Sequence, residues 1–159
     1  MAQIDKAALR DELLAQLVAA HEGAQRAHAA ALEGATHEEA RPENDKDTRG
    51  LEQSYLARGQ AQRVAELEAA VAALTALALR TFGARDPVAM SALVTIDEDG
   101  DVKRLWIAPH GGGAVLAGDV QVVTPSSPFG RALLGKRIDD EVELRLPGKT
   151  RTLVITAIA

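Results

Sequence analysis

No cysteine occurs among the 159 residues, so disulfides and thiolate metal sites are excluded. Aromatic residues are almost as scarce: one Trp, one Tyr and two Phe make up 3% of the chain. Four rings are too few for a base-stacking platform, and sparse for a compact enzyme core. No apolar run approaches the roughly 20 residues that span a bilayer. The opening MAQIDKAALRDELL is mixed and charged, unlike a secretory leader. A basic excess is also missing. The net charge is −5, with 13 acidic and 10 basic residues up to Arg85 and 10 and 8 from Asp86 onward. Neither part has the cationic surplus of an autonomous nucleic-acid binder. These absences predict a soluble, cytoplasmic protein with no membrane partner.

Alanine and leucine supply most of the apolar surface, which favours helices. From Asp5 to Leu32, Leu9, Leu13, Leu17, Ala20, Ala24, Ala27 and Ala31 recur at helical spacing, with Asp5 as N-cap. Pro42 cannot sit inside a helix, and Asn44, Asp45 and Asp47 favour local turn bonding, so the first helix should end by Glu39. A second helix is expected from Asp47 or Thr48 to Thr81. Val64, Leu67, Val71, Leu74 and Ala78 form its heptad seam, and Gly83 stops it. Two stripes of about 30 residues, each roughly 45 Å long, predict an antiparallel coiled-coil hairpin over residues 1–83. The polar turn HEEARPENDKDTRG, near 38–49, forms its acidic tip.

After Asp86-Pro87 the pattern changes. Asp97-Glu98-Asp99-Gly100 reads as a hairpin turn, Val102–Ala108 and Asp119–Val123 as strands, and Ser127–Leu134 as a short helix with Ser126 or Ser127 as cap and Gly135 as stop. Val142, Leu144 and Leu146 alternate with charge, Pro147-Gly148 turns the chain, and Thr150–Ile158 returns as a strand. Residues 84–159 are thus expected to form a small antiparallel sheet with one short helix, making the whole chain α+β.

The block Thr124-Pro125-Ser126-Ser127-Pro128-Phe129-Gly130-Arg131-Ala132-Leu133-Leu134-Gly135-Lys136 resembles the C-terminal domain of the bacterial Gre transcript-cleavage factors. That family carries a Ser-Pro-Leu-Gly-Arg-Ala-Leu-Leu-Gly-Lys run, then a Gly-Asp-Glu-Val-like turn and a Pro-Gly hairpin. Here Asp139-Asp140-Glu141-Val142 and Pro147-Gly148 match them. An antiparallel coiled coil before this domain is also the Gre layout. The resemblance implies an FKBP-like domain that docks on bacterial RNA polymerase at the secondary channel. It further implies a coil whose tip carboxylates help the polymerase hold a second magnesium ion against backtracked RNA. The family's acidic-Ser-Pro docking element maps onto Ser126, Ser127 and Pro128, with the acid replaced by Ser126.

On this reading Glu43, Asp45 and Asp47 are the candidate ligands, since magnesium takes oxygen donors and needs only one or two carboxylates from a helper. The same residues also suit a solvated turn. The family tip reads Asp-Leu-Ser-Glu-Asn-Ala-Glu-Tyr. Ungapped counting from Arg63 puts Glu43 on its first acid and Lys46 on its second, where Lys46 would repel the ion; a one-residue gap places Asp45 or Asp47 there instead. Arg41 and Arg49 are candidates for approaching RNA phosphates, so RNA is an indirect partner only. The expected protein is a monomeric accessory factor, not an enzyme, with no cofactor of its own and magnesium held at the polymerase active site. The alternative is a regulator of the same architecture that occupies the channel without promoting cleavage. Other candidates are weaker. His21 and His28, seven apart, suit a helix surface or seam. His37-Glu38-Glu39 lacks metal-ligand spacing, Gly111-Gly112-Gly113 opens no helix that could cradle phosphate, and Ser127 has no catalytic His partner.

Overall fold

The computed structural model describes residues 3–36 and 49–159. Its elements run α1 (Lys6–Thr36), α2 (Arg49–Thr75), β1 (Leu93–Glu98), β2 (Asp101–Ile107), β3 (Val115–Leu116), β4 (Val120–Val123), α3 (Pro128–Leu133), β5 (Glu141–Leu146) and β6 (Lys149–Ile158). Contacts divide the chain into two compact units: Ala15–Ala72, and the start of the chain through Leu14 together with Ala73–Ala159.

Within Ala15–Ala72 two helices pair through small side chains. Ala24, Ala31, Ala57, Leu67 and Ala70 are buried, and His28 Nδ1 lies 3.1 Å from the Ala57 carbonyl oxygen. The seam of α1 differs from the expected one. Ala20 and Ala27 are exposed, whereas Leu17, His21, Ala24, His28 and Ala31 are partly or fully buried, in alternating steps of four and three. Hydropathy could not choose here, because each misplaced alanine stands next to a histidine with enough apolar ring surface to fill the same place.

The second unit is built on a six-stranded sheet of order β3-β4-β2-β1-β6-β5. The expected antiparallel sheet is mixed instead: β2 and β4 run parallel, with Trp106 opposite Val122. Parallel neighbours need a crossover connection. The loop from Pro109 and the short strand β3 supply it, and β3 itself, only two residues long, left no alternation to read. Asp99 at φ 53° and Gly100 at φ 90° close the β1–β2 hairpin, the paired left-handed backbone that two-residue turns require.

Both sheet faces are covered. Leu105, Ile107, Val94, Ile96 and Ile155 join a core with Leu133 of α3 and with Val88 and Phe82. On the opposite face Trp106, Val120, Val122 and Leu116 are buried together with Leu9 and Leu13 from the first turns of α1. Asp5 caps that helix, accepting from the Ala7 N–H at 2.9 Å. Farther along, Glu12 Oε2 accepts from the Ala117 N–H at 3.0 Å, and Leu13 lies so close to Gly111 that a β-carbon there would sit 2.7 Å from it. Gly111, the first of the three glycines, is therefore a place of close packing against α1.

Helix α2 ends at Thr75, six residues before the expected Thr81. Nothing in Ala76-Leu77-Ala78-Leu79 forbids helix; tertiary bonding overrides propensity. Arg80 N–H donates to Ser91 Oγ at 2.9 Å, and Phe82 is drawn into the core. Ser91, fully buried at φ 73°, also offers its carbonyl to Trp106 Nε1 at 3.2 Å. Among the described residues no helix is long and apolar enough to cross a membrane.

Candidate functional site

Strand β4 runs into Thr124 and Pro125, whose fixed φ ends the pairing and hands the chain to α3. Of the two serines that the sequence offered as cap, Ser127 is the N-cap. Its Oγ accepts from the Gly130 N–H at 3.1 Å and donates to the Thr124 carbonyl at 2.7 Å. Pro128 occupies the first turn, where a missing N–H costs nothing. Arg131 folds back so that Nε donates to the Ser126 carbonyl at 2.8 Å. Beyond the helix, Val88 N–H donates to the Lys136 carbonyl at 2.7 Å and Gly135 N–H to the Val88 carbonyl at 2.9 Å. The segment is thus anchored at both ends by backbone bonds, with Ser126 and Pro128 exposed between them. Beside it, Pro128, Arg131, Ala132, Glu143 and Arg145 line a shallow cavity of about 360 Å³.

One contribution to this surface was not legible in the chain order. Arg151 on β6 clasps Glu98 on β1, with Nε 2.7 Å from Oε1 and Nη2 bonded to Oε2, and its guanidinium stands 6.0 Å from the centre of the Phe129 ring. The partners are 53 residues apart, and only the pairing of β1 with β6 brings them together. The Arg151 hydrogen bond holds the Glu98 carboxyl below its ordinary pKa, and the same bond raises that of Arg151. A carboxylate with a lowered folded-state pKa contributes stability that is present above its unfolded pKa and fades as pH falls through the folded value. Glu98→Gln is therefore expected to be less stable than the parent at neutral pH, with the difference vanishing in acid. Urea unfolding at pH 7 and near pH 3 measures this, and a difference that persists at the lower pH would contradict it.

The other site residues read from the sequence are placed differently. Arg41, Glu43, Asp45 and Asp47 lie outside the described residues; Arg49 is the first residue of α2, and its side chain lies outside them too. Among the described residues, no group of three or more His, Asp or Glu side chains could hold a metal ion.

With the capped helix and its sheet in place, the comparisons with known proteins bear on the same segment. The family model "Transcription elongation factor, GreA/GreB, C-term" matches residues 84–159. Residues 84–159 thus match the C-terminal domain of the GreA/GreB transcription elongation factors. A curated relative, the transcription elongation factor GreA of Sphingopyxis alaskensis, is 34% identical over 74 residues; the match spans 46% of this chain and 45% of that protein. The chain thus covers less than half the length of that relative. Among solved structures, the GreA factor homolog 1 (Gfh1) of Thermus thermophilus is 22% identical, with 94% of each chain covered and a TM-score of 0.41. A prokaryotic GreA/GreB factor from Nitrosomonas europaea is 21% identical over 58% of this chain and 78% of that one, at a TM-score of 0.37. Overlaps this loose add nothing to the Gre assignment.

Proposed function

We propose that this Gre-type chain binds bacterial RNA polymerase at its secondary channel and helps the enzyme cleave backtracked RNA. The observation that carries the reading is the Ser127-capped segment from Thr124 to Lys136, set in a domain that matches the family over residues 84–159. Ser126, Ser127 and Pro128 form the docking element. Glu43, Asp45 and Asp47 supply carboxylate oxygens to the second magnesium ion, which the polymerase shares and which supplies the chemistry of water activation. Three acids within five residues fit a hard cation; Lys46 among them does not. Arg41 and Arg49 stand near RNA phosphates. The chain is an accessory factor and carries no reaction of its own.

Lys46 favours a second reading, in which the same docked protein occupies the channel without promoting cleavage. Release of RNA from a backtracked complex separates the two. Stimulation by the parent chain, falling about tenfold or more when Glu43, Asp45 and Asp47 are changed to Ala, supports the cleavage reading, since losing charge stabilisation worth roughly 1.4 kcal/mol is a tenfold change. Equal stimulation by the triple variant removes the tip from the mechanism. Binding without stimulation supports occupancy, and failure to bind the polymerase removes both readings.

A further inference from the structure

On the Trp106 side of the sheet, the end nearest the β1–β2 turn lies open. Strand register sets Val102, Asp97, Val154 and Glu141 side by side in one row across β2, β1, β6 and β5. Directly opposed residues of antiparallel strands share a face, so all four point outward together. Val102 is 57% exposed and Val154 36%. Asp97, Val154 and Glu141 belong to the floor of an open cavity of about 670 Å³, bordered by the hydroxyls of Thr150, Thr152 and Thr156.

The face carries an excess of negative charge. The carboxylates of Asp97, Glu98, Asp99 and Glu141 meet one cation in the cavity wall, Arg151, and that cation is committed to Glu98. Among the described residues Asp97, Asp99 and Glu141 make no ion pair. Asp97 Oδ1 accepts from the Gly100 N–H at 2.7 Å, a neutral donor. The cations on neighbouring positions are engaged or distant. Lys103 pairs with Asp101 at 3.3 Å, Arg145 with Glu143 at 3.7 Å, and Arg104 Nη1 turns to the Gly118 carbonyl at 3.4 Å. Lys149 lies five residues, roughly 16 Å, back along β6 from Val154.

Strands about 4.8 Å apart put the backbones of Asp97 and Glu141 roughly 10 Å from each other, with Val154 between them. An apolar stripe flanked by two uncompensated carboxylates is the complement of a Lys or Arg side chain, whose methylene stem lies on apolar surface while its head stays polar. A second copy of this chain would bring the same acids against these, so a two-fold contact here is repulsive. The face is also continuous with the capped segment. Arg151 in the cavity wall stands 6.0 Å from the centre of the Phe129 ring, and Glu143, the next outward residue of β5 after Glu141, lines the shallow cavity beside Pro128. A partner seated on Ser126–Pro128 has this face next to it.

We propose that the open face is a second contact for polymerase, taking a basic segment of its surface with a Lys or Arg stem laid on Val154 and the head between Asp97 and Glu141. The proposal rests on the docking reading above and adds the chemistry of the surface that is met.

The test is equilibrium binding of the full chain to bacterial RNA polymerase at two salt concentrations. Asp97→Asn combined with Glu141→Gln should weaken binding about tenfold or more, the scale of a lost charge-assisted hydrogen bond, and should flatten the salt dependence. Asn keeps an acceptor for the Gly100 N–H, so the melting temperature should match the parent. Val154→Lys, an outward-facing change that supplies the cation from within, should weaken binding at least as much and carries the test if the double variant is less stable. Asp11→Asn combined with Asp119→Asn removes the same two charges elsewhere and should bind as the parent does. A parent that binds, with the double variant binding equally well or the control falling as far, would overturn this proposal and leave the docking reading standing. A parent that fails to bind would remove both.

Discussion

Alanine at position 130 is expected to cost about 3 kcal/mol or more, a large share of the 5–15 kcal/mol that holds a domain of this size together. A β-carbon on Gly130 would stand 1.9 Å from the Thr124 carbonyl oxygen, 2.8 Å from its carbon and 2.9 Å from Pro125 Cα. All three neighbours are backbone, so no side chain can swing away, and Thr124 is also the acceptor for Ser127 Oγ and Ser127 N–H. The helix and the turn that feeds it cannot both stay in place. Urea unfolding of Gly130→Ala should show the loss, and affinity for polymerase should fall with it. Gly59→Ala is the matching control. That glycine lies within α2 with nothing inside 4 Å of the added carbon, so the change should stabilise by up to about 1 kcal/mol through helix propensity alone. Equal stability of Gly130→Ala and its parent would mean that the Thr124–Gly130 approach is not as close as the structure has it.

Removing the lone tryptophan is the second large effect. Trp106 is fully buried on the α1-facing side of the sheet, and truncation to Ala is expected to cost about 3–5 kcal/mol from lost apolar burial and the cavity left behind. Trp106→Phe separates packing from bonding. It keeps much of the ring but leaves the buried Ser91 carbonyl without the Nε1 donor at 3.2 Å, a deficit of about 1–3 kcal/mol. Circular dichroism during urea unfolding measures both variants, since the fluorescent probe itself is removed. A Phe variant as stable as the parent would show that the Ser91 bond contributes nothing net. The consequence reaches further than the strand. Ser91 also accepts from the Arg80 N–H, so the same buried serine holds the segment that ends α2.

Local rules carried much of the architecture. Asp5 as a cap, the two helices, the Asp99-Gly100 and Pro147-Gly148 hairpins and the Ser127 cap are all set by interactions within a few residues. Such interactions leave a readable mark in the sequence. The wording of Thr124–Lys136 likewise sufficed for the Gre resemblance, because Pro, Ser and Gly there answer to specific backbone demands.

What the sequence by itself determined, then, is the two helices, most of the strands, the capped segment and the resemblance of residues 84–159 to the Gre C-terminal domain. Tertiary structure decided the rest: the early end of α2 at Thr75, the histidine-lined seam of α1, and the parallel pairing of β2 with β4. It also decided the meeting of Arg151 with Glu98 and Phe129, and of Lys6 with Arg80 on Phe82. Each of these joins residues far apart in the chain, or chooses between neighbours of similar hydropathy. The free energy that fixes them comes from burial and from bonds made only after the sheet has closed, so no window of local sequence contains it.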